Sequence, residues 1–142
     1  MSLIGFLIKY IQYTFEGSRP DYWMRLRLFH LYSLERRRER YMILYMVKII
    51  NGHAPNPGIR WRVNARTGYH IELPQIPSSC PAWVSKLRRR SLLYRGPQLF
   101  NCLPIELRSE TCVISSQECF KSQLDTFLQT IPDQPTVAGC AP

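Results

Sequence analysis

Proline sets the outer limits of what this chain can fold into: of eleven in 142 residues, ten fall after residue 54. Proline locks φ and removes a backbone donor, so long helices fit before that point and short elements between turns after it. The front part also carries the helical signal. Leu3, Phe6, Leu7, Tyr10, Ile11 and Phe15 recur at spacings that predict an amphipathic helix over 3–15. Glu16-Gly17-Ser18-Arg19-Pro20 breaks it. Asp21 is a good N-cap for a second helix through Tyr22, Trp23, Leu26 and Phe29, and Ser33 caps a third, with Glu35 near its positive end. The third helix runs through an arginine-rich stretch into Tyr41–Val47, which is apolar on nearly every side and predicts burial all round. Asn51-Gly52 then supplies a left-handed C-cap, and Pro55 and Pro57 prevent continuation.

From Ile59 the pattern changes. Val63 to Ala65 and Tyr69 to Leu73 flank Arg66-Thr67-Gly68, the signature of a hairpin. Pro74, Pro77 and Pro81 predict an irregular connection, and Ser91–Tyr94 a short strand stopped by Gly96-Pro97. A helical turn around Leu99-Phe100 is expected to end near Leu103-Pro104. Ser115-x-x-Glu118 reads as a capping box for a last helix whose Phe120, Leu124, Phe127 and Leu128 share one face, ended by Ile131-Pro132. The expected architecture is α+β, mainly helical with a small irregular β region in the middle. It comprises one partial domain over 1–132 (helical 1–52, irregular β 59–97, helical 98–131) and a loose tail over 133–142. The third helix, 33–51, is expected to pack on the 115–130 helix.

Charge is unevenly placed. The net charge is +9, but residues 1–95 hold 17 Lys/Arg against 5 Asp/Glu, and residues 96–142 hold 2 against 5. Such asymmetry points the front two-thirds at an anion such as a phosphate backbone, or else reflects arginines that only solubilise helices. The five cysteines (Cys80, Cys102, Cys112, Cys119, Cys140) form no C-x-x-C pair and have no histidine at zinc-finger spacing, so reduced thiols inside the cell are expected. Lys9 interrupts the apolar start before it could span a bilayer, and no signal peptide is evident.

Phosphate-binding loops, dinucleotide fingerprints, nucleophile elbows and H-E-x-x-H are all missing from the sequence. His30, His53 and His70 sit in unrelated contexts, and no two aspartates are adjacent. The reading is therefore no catalytic residues, no metal and no cofactor.

Two basic clusters remain. Arg36, Arg37, Arg38 and Arg40 surround Glu39. At helical spacing Arg36 and Arg40 stack on one side while Arg37 and Arg38 point elsewhere. Glu35 with Arg38, and Arg36 with Glu39, are pairs that would absorb part of this charge. The others are candidates for phosphate contact, with Tyr22, Trp23, Tyr32 and Tyr41 as stacking surfaces, or else the aromatics are core and the arginines a solvated helix end. Lys86, Arg88, Arg89 and Arg90 form the second cluster, leading into the expected strand. They are a phosphate-facing rim, or charges that protect a sheet edge from stray pairing.

Three blocks in order carry a family resemblance. They are Asp21–Leu26 with Leu31-Tyr32-Ser33-Leu34-Glu35-Arg36-Arg37-Arg38-Glu39-Arg40-Tyr41 and Lys48–Gly52; Ser91–Arg108, with its core Arg95-Gly96-Pro97-Gln98-Leu99-Phe100-Asn101-Cys102-Leu103-Pro104; and Phe120-Lys121 through Asp125–Leu128 to Pro135. Together they resemble the region downstream of the polymerase domain in LINE-type, non-LTR retrotransposon reverse transcriptases. The resemblance implies a truncated fragment, without the paired aspartates of the catalytic palm and without the upstream endonuclease. It also implies a helical extension that contacts template RNA or target DNA, in the cytoplasm or nucleus, beside the missing upstream polymerase domain. The expectation is a non-enzymatic RNA or DNA backbone-binding piece with no membrane association. The other reading is a captured fragment that binds protein partners, with Leu3 to Phe15 as its exposed apolar stripe.

Overall fold

The computed structural model describes residues 21–133, so the helix expected over 3–15, Cys140 and all of the tail but Asp133 lie outside the described residues. The elements are α1 (Tyr22–Leu28), α2 (Leu34–Ile50), β1 (Trp61–Asn64), β2 (Gly68–Ile71), α3 (Ala82–Arg90), α4 (Leu92–Asn101), α5 (Ile105–Arg108), α6 (Glu110–Ile114) and α7 (Gln117–Gln129). The chain is mainly helical with one small antiparallel sheet in the middle, which is the expected α+β class. The described residues fall into two compact units, residues 21–34 with Asp133, and residues 35–132.

In the first unit, Asp21 caps α1 as the sequence predicts, its carboxylate accepting from the Tyr22 N–H at 2.8 Å. Tyr22 and Trp23 meet edge to face, ring centroids 5.0 Å apart. No residue of α1 is buried. Ser33 is the buried polar residue here, and both its backbone N–H and its hydroxyl donate to the Asp133 carboxylate. A charged acceptor from the far end of the sequence thus sits at the residue that precedes α2.

In the second unit, α2 ends as its Asn51-Gly52 pair dictates. Gly52 has φ +73°, its N–H donates to the Ile49 carbonyl and the His53 N–H to the Lys48 carbonyl. That is a Schellman closure, which only a residue tolerant of positive φ completes without strain. Asn51 itself reaches out to the Val113 carbonyl at 2.8 Å. The hairpin also forms, with Trp61 opposite Ile71 and Asn64 opposite Gly68. Gly68 has φ +71°, and a Cβ there would lie 2.1 Å from the Arg108 carbonyl oxygen. Two independent constraints therefore require glycine at this position.

The core gathers Met46 from α2, Ile71 from β2, Phe100 from α4, Val113 from α6, and Phe120 and Leu124 from α7, all less than 2% exposed. Each such side chain stabilises the fold by roughly 1.5–3 kcal/mol. The α2 and α7 helices, expected to be neighbours, are joined by Arg40 and Asp125, whose side chains form two hydrogen bonds at 2.6 and 2.9 Å.

Three details differ from expectation. Ser91–Tyr94 is not a strand; α4 begins at Leu92 and carries Gly96-Pro97 inside it. Gly96, Pro97 and Phe100 are buried, and a Cβ on Gly96 would stand 2.8 Å from the Met46 methyl, so tertiary packing outweighs the local break. The proline leaves the Leu93 carbonyl without its helical donor, but Leu93 is exposed to water. Residues 82–90 and 92–101 are accordingly helical, and among the described residues β structure is confined to 61–71. The last helix is capped by Ser116, which accepts from the Cys119 N–H, while Ser115 donates to the Cys112 carbonyl behind it. Finally, the 41–47 stretch is not buried all round, because Tyr41 is 66% exposed and Met42 and Tyr45 are half-buried.

The most distinctive sequence block is explained by packing. Arg95 reaches Glu39 at 3.1 Å, and Asn101 exchanges two hydrogen bonds with the Ile71 backbone at 2.8 and 2.9 Å. Leu103 is buried, and Arg108 donates to the Leu103 and Tyr69 carbonyls. Asn101 imitates an extra strand residue, satisfying both backbone groups of an edge position.

Candidate nucleic-acid interface

The two basic clusters have opposite environments. On α2, Arg36 lies against the fold, 3.4 Å from Glu39 and within reach of the Pro132 carbonyl, its side chain only 14% exposed. Arg40, one turn on, is held bidentate by Asp125. The stacking of Arg36 and Arg40 on one side is as the spacing predicts, but that side faces the protein. These two candidates belong to the fold, because desolvated guanidiniums need the carboxylates and carbonyls they have. Arg37 and Arg38 are on the exposed part of the helix. The Glu35–Arg38 pair does not form among the described residues.

On α3, by contrast, Lys86, Arg88, Arg89 and Arg90 are all exposed and make no ion pair among the described residues. This segment is a helix, so strand alternation does not apply. Lys86, Arg89 and Arg90 fall at i, i+3 and i+4 on one side, with Arg88 offset, and none of them guards a sheet edge. Pro81 starts the helix, needing no N–H there, and Ser91 ends it by donating its hydroxyl to the Arg88 carbonyl. No residue of α3 is buried. Trp83 and Leu87, 68% and 59% exposed, lie one turn apart on the side that also carries Lys86 and Arg90.

A third feature is a cleft that the sequence patterns do not predict. Tyr41, Tyr45 and Lys48 on α2, Leu92 at the start of α4, and Gln117 and Lys121 on α7 line an open cavity of about 530 Å³. The wall is completed by the Arg40 side chain that Asp125 holds. Lys121 is shared with Glu118 at 3.0 Å, whereas Lys48 makes no ion pair among the described residues. The spacing 41, 45, 48 is a helical face, and that is the available signal. It is obscured because the surrounding residues are apolar enough to suggest a wholly buried helix.

Among the described residues, three groups have displaced ionisation. The Arg62 hydrogen bond holds the Glu72 carboxyl below its ordinary value. Burial, then Glu110, raises the Tyr69 phenol, and burial, then Cys119, raises the Cys112 thiol. Cys112 donates to Gln123, which in turn donates to Cys119. All are structural settings without a convergent nucleophile and base. Cys80, Cys102, Cys112 and Cys119 are free thiols. Among the described residues, no group of three or more His, Cys, Asp or Glu could hold a metal ion, and no helix is long and apolar enough to cross a membrane. No protein-family model, curated protein or solved structure matches the chain.

Proposed function

We propose that this chain is a non-catalytic module that binds the phosphate backbone of RNA or DNA inside the cell, of the kind that follows the polymerase domain in LINE-type reverse transcriptases. The observation that carries the binding is α3, where four cations in five positions stand exposed on a helix that buries nothing. Cations with no carboxylate partner keep their full attraction for phosphate, and binding releases the counterions condensed on the nucleic acid. Arg37 and Arg38 add to the positive surface of the same unit. The family resemblance rests on the three sequence blocks and names the parent polymerase as the partner of the whole protein. No catalytic step is assigned to this part.

The test is equilibrium binding of the full chain to labelled duplex DNA and to RNA over a salt series. Replacing Lys86, Arg88, Arg89 and Arg90 together by alanine is expected to reduce the slope of log K against log salt by roughly 3 to 4, at about 0.9 for each duplex phosphate that is no longer neutralised. An unchanged slope with an unchanged melting temperature would remove α3 from the interface.

Exposure of Trp83 and Leu87 beside these cations favours a second reading, in which α3 docks on an acidic protein. Burial of Trp83 and Leu87 in such a contact would leave part of its affinity intact at a salt concentration that abolishes phosphate binding.

A further inference from the structure

We infer that the cleft between α2 and α7 receives an unpaired base of single-stranded RNA or DNA. The inference deepens the backbone-binding reading and rests on it. A backbone contact needs only cations, but this cleft offers more. Tyr41, 66% exposed, and Tyr45 one turn later present aromatic rings on the same helical face. Leu92 adds an apolar part of the wall, and Gln117 an amide able to donate to and accept from a base edge. The volume, about 530 Å³, exceeds that of a nucleobase, and the opening leaves room for the attached strand.

Charge complementarity selects the occupant. Lys48 follows Tyr45 by three residues, on the side the tyrosines occupy, and makes no ion pair among the described residues. Arg40 and Lys121 also line the wall, but Asp125 and Glu118 balance them, so Lys48 is the cation that favours an anion there. The basic run of α3 ends at Arg90, two residues before Leu92, which places their Cα atoms within roughly 7.6 Å of each other. A strand whose base enters the cleft can therefore carry its neighbouring phosphates to the end of α3. Aromatic rings with cations at the rim are the arrangement that holds single strands, because every base has a face to stack. A duplex keeps its bases paired and cannot fill the cleft.

The experiment compares binding of the full chain to a single-stranded oligonucleotide, to a duplex of the same sequence, and to a mononucleotide as competitor. The single strand is expected to bind more tightly than the duplex. Tyr41→Ala, at an exposed position that leaves the fold intact, is expected to weaken single-strand binding roughly tenfold with its salt slope unchanged. Tyr41→Trp is expected to restore it, and duplex binding should hardly change in either variant. Lys48→Gln is expected to lower the single-strand slope by about 0.7. Equal binding of the two forms, or indifference to Tyr41→Ala, would overturn the cleft's role while leaving steep salt-dependent binding by α3 in place. A mononucleotide that competes as well as the strand would also overturn it, assigning the cleft to a free nucleotide. Absence of binding to every nucleic acid would overturn the backbone reading together with this one.

Discussion

The basic clusters of α2 and α3 have almost the same composition over five residues, yet the fold treats them differently. The α2 cluster has Glu39 within it and Asp125 reaching it from α7, and these carboxylates, with the Pro132 carbonyl, hold Arg36 and Arg40. The α3 cluster lies in a stretch from Leu73 to Ile105 that contains no Asp or Glu at all. Its cations make no ion pair among the described residues and remain on the surface. Density of positive charge alone therefore says little about nucleic-acid contact. The position of the carboxylates decides which cations remain available.

Several variants probe this contrast, with effects of decreasing size. Alanine at Lys86, Arg88, Arg89 and Arg90 should lower duplex affinity at least about a hundredfold at moderate salt, with no loss of thermal stability. Gly68→Ala, in the hairpin that Arg108 and Asn101 pin to the core, should destabilise the second unit by at least ~1–3 kcal/mol from backbone strain alone, read by thermal or denaturant unfolding. Arg40→Ala should cost about 1–2 kcal/mol of stability, because it leaves Asp125 without its bidentate partner, and should leave the salt slope of duplex binding, which does not use the cleft, unchanged. An Arg40 variant that folds normally but binds duplex weakly would erase the distinction between the clusters.

The smallest expected effect is chemical. Burial raises the Cys112 thiol, so its folded value lies above the unfolded one. Its contribution to stability is complete below the ordinary thiol range and is lost as pH rises through the raised value. Alkylation followed by mass spectrometry at mildly alkaline pH should accordingly label Cys102 and Cys119, both exposed, well before Cys112.

Much of the fold is readable in the sequence where local and tertiary signals agree. Asp21 and Gly52 mark their helix ends as expected, α2 starts directly after Ser33, and the hairpin turns where Gly68 permits it. The failures have a common cause. Gly96-Pro97 looks like a stop because glycine and proline weaken a helix locally, but the close approach of Met46 and the burial of Phe100 favour the helical form. Ser115 and Ser116 compete for one cap, and the short preceding helix α6 takes the first. For the candidate interface, spacing correctly places Arg36 and Arg40 together but cannot show that Asp125, 85 residues beyond Arg40, pairs with it. Nor can it show that Tyr41 and Tyr45 line an open cleft, since a helix with apolar residues on most sides gives no sign of which one is left uncovered.

Whether α3, and not the arginines tied to the core, makes the phosphate contacts is decided by footprinting the native chain. Lysine- and arginine-modifying reagents, with and without bound oligonucleotide, would be read by mass spectrometry. Lys86, Arg88, Arg89 and Arg90 are expected to react readily in the free protein and to be protected by the nucleic acid. Arg36 and Arg40 should react slowly in both states. Protection confined to Arg36 and Arg40, with α3 equally reactive throughout, would contradict the assignment.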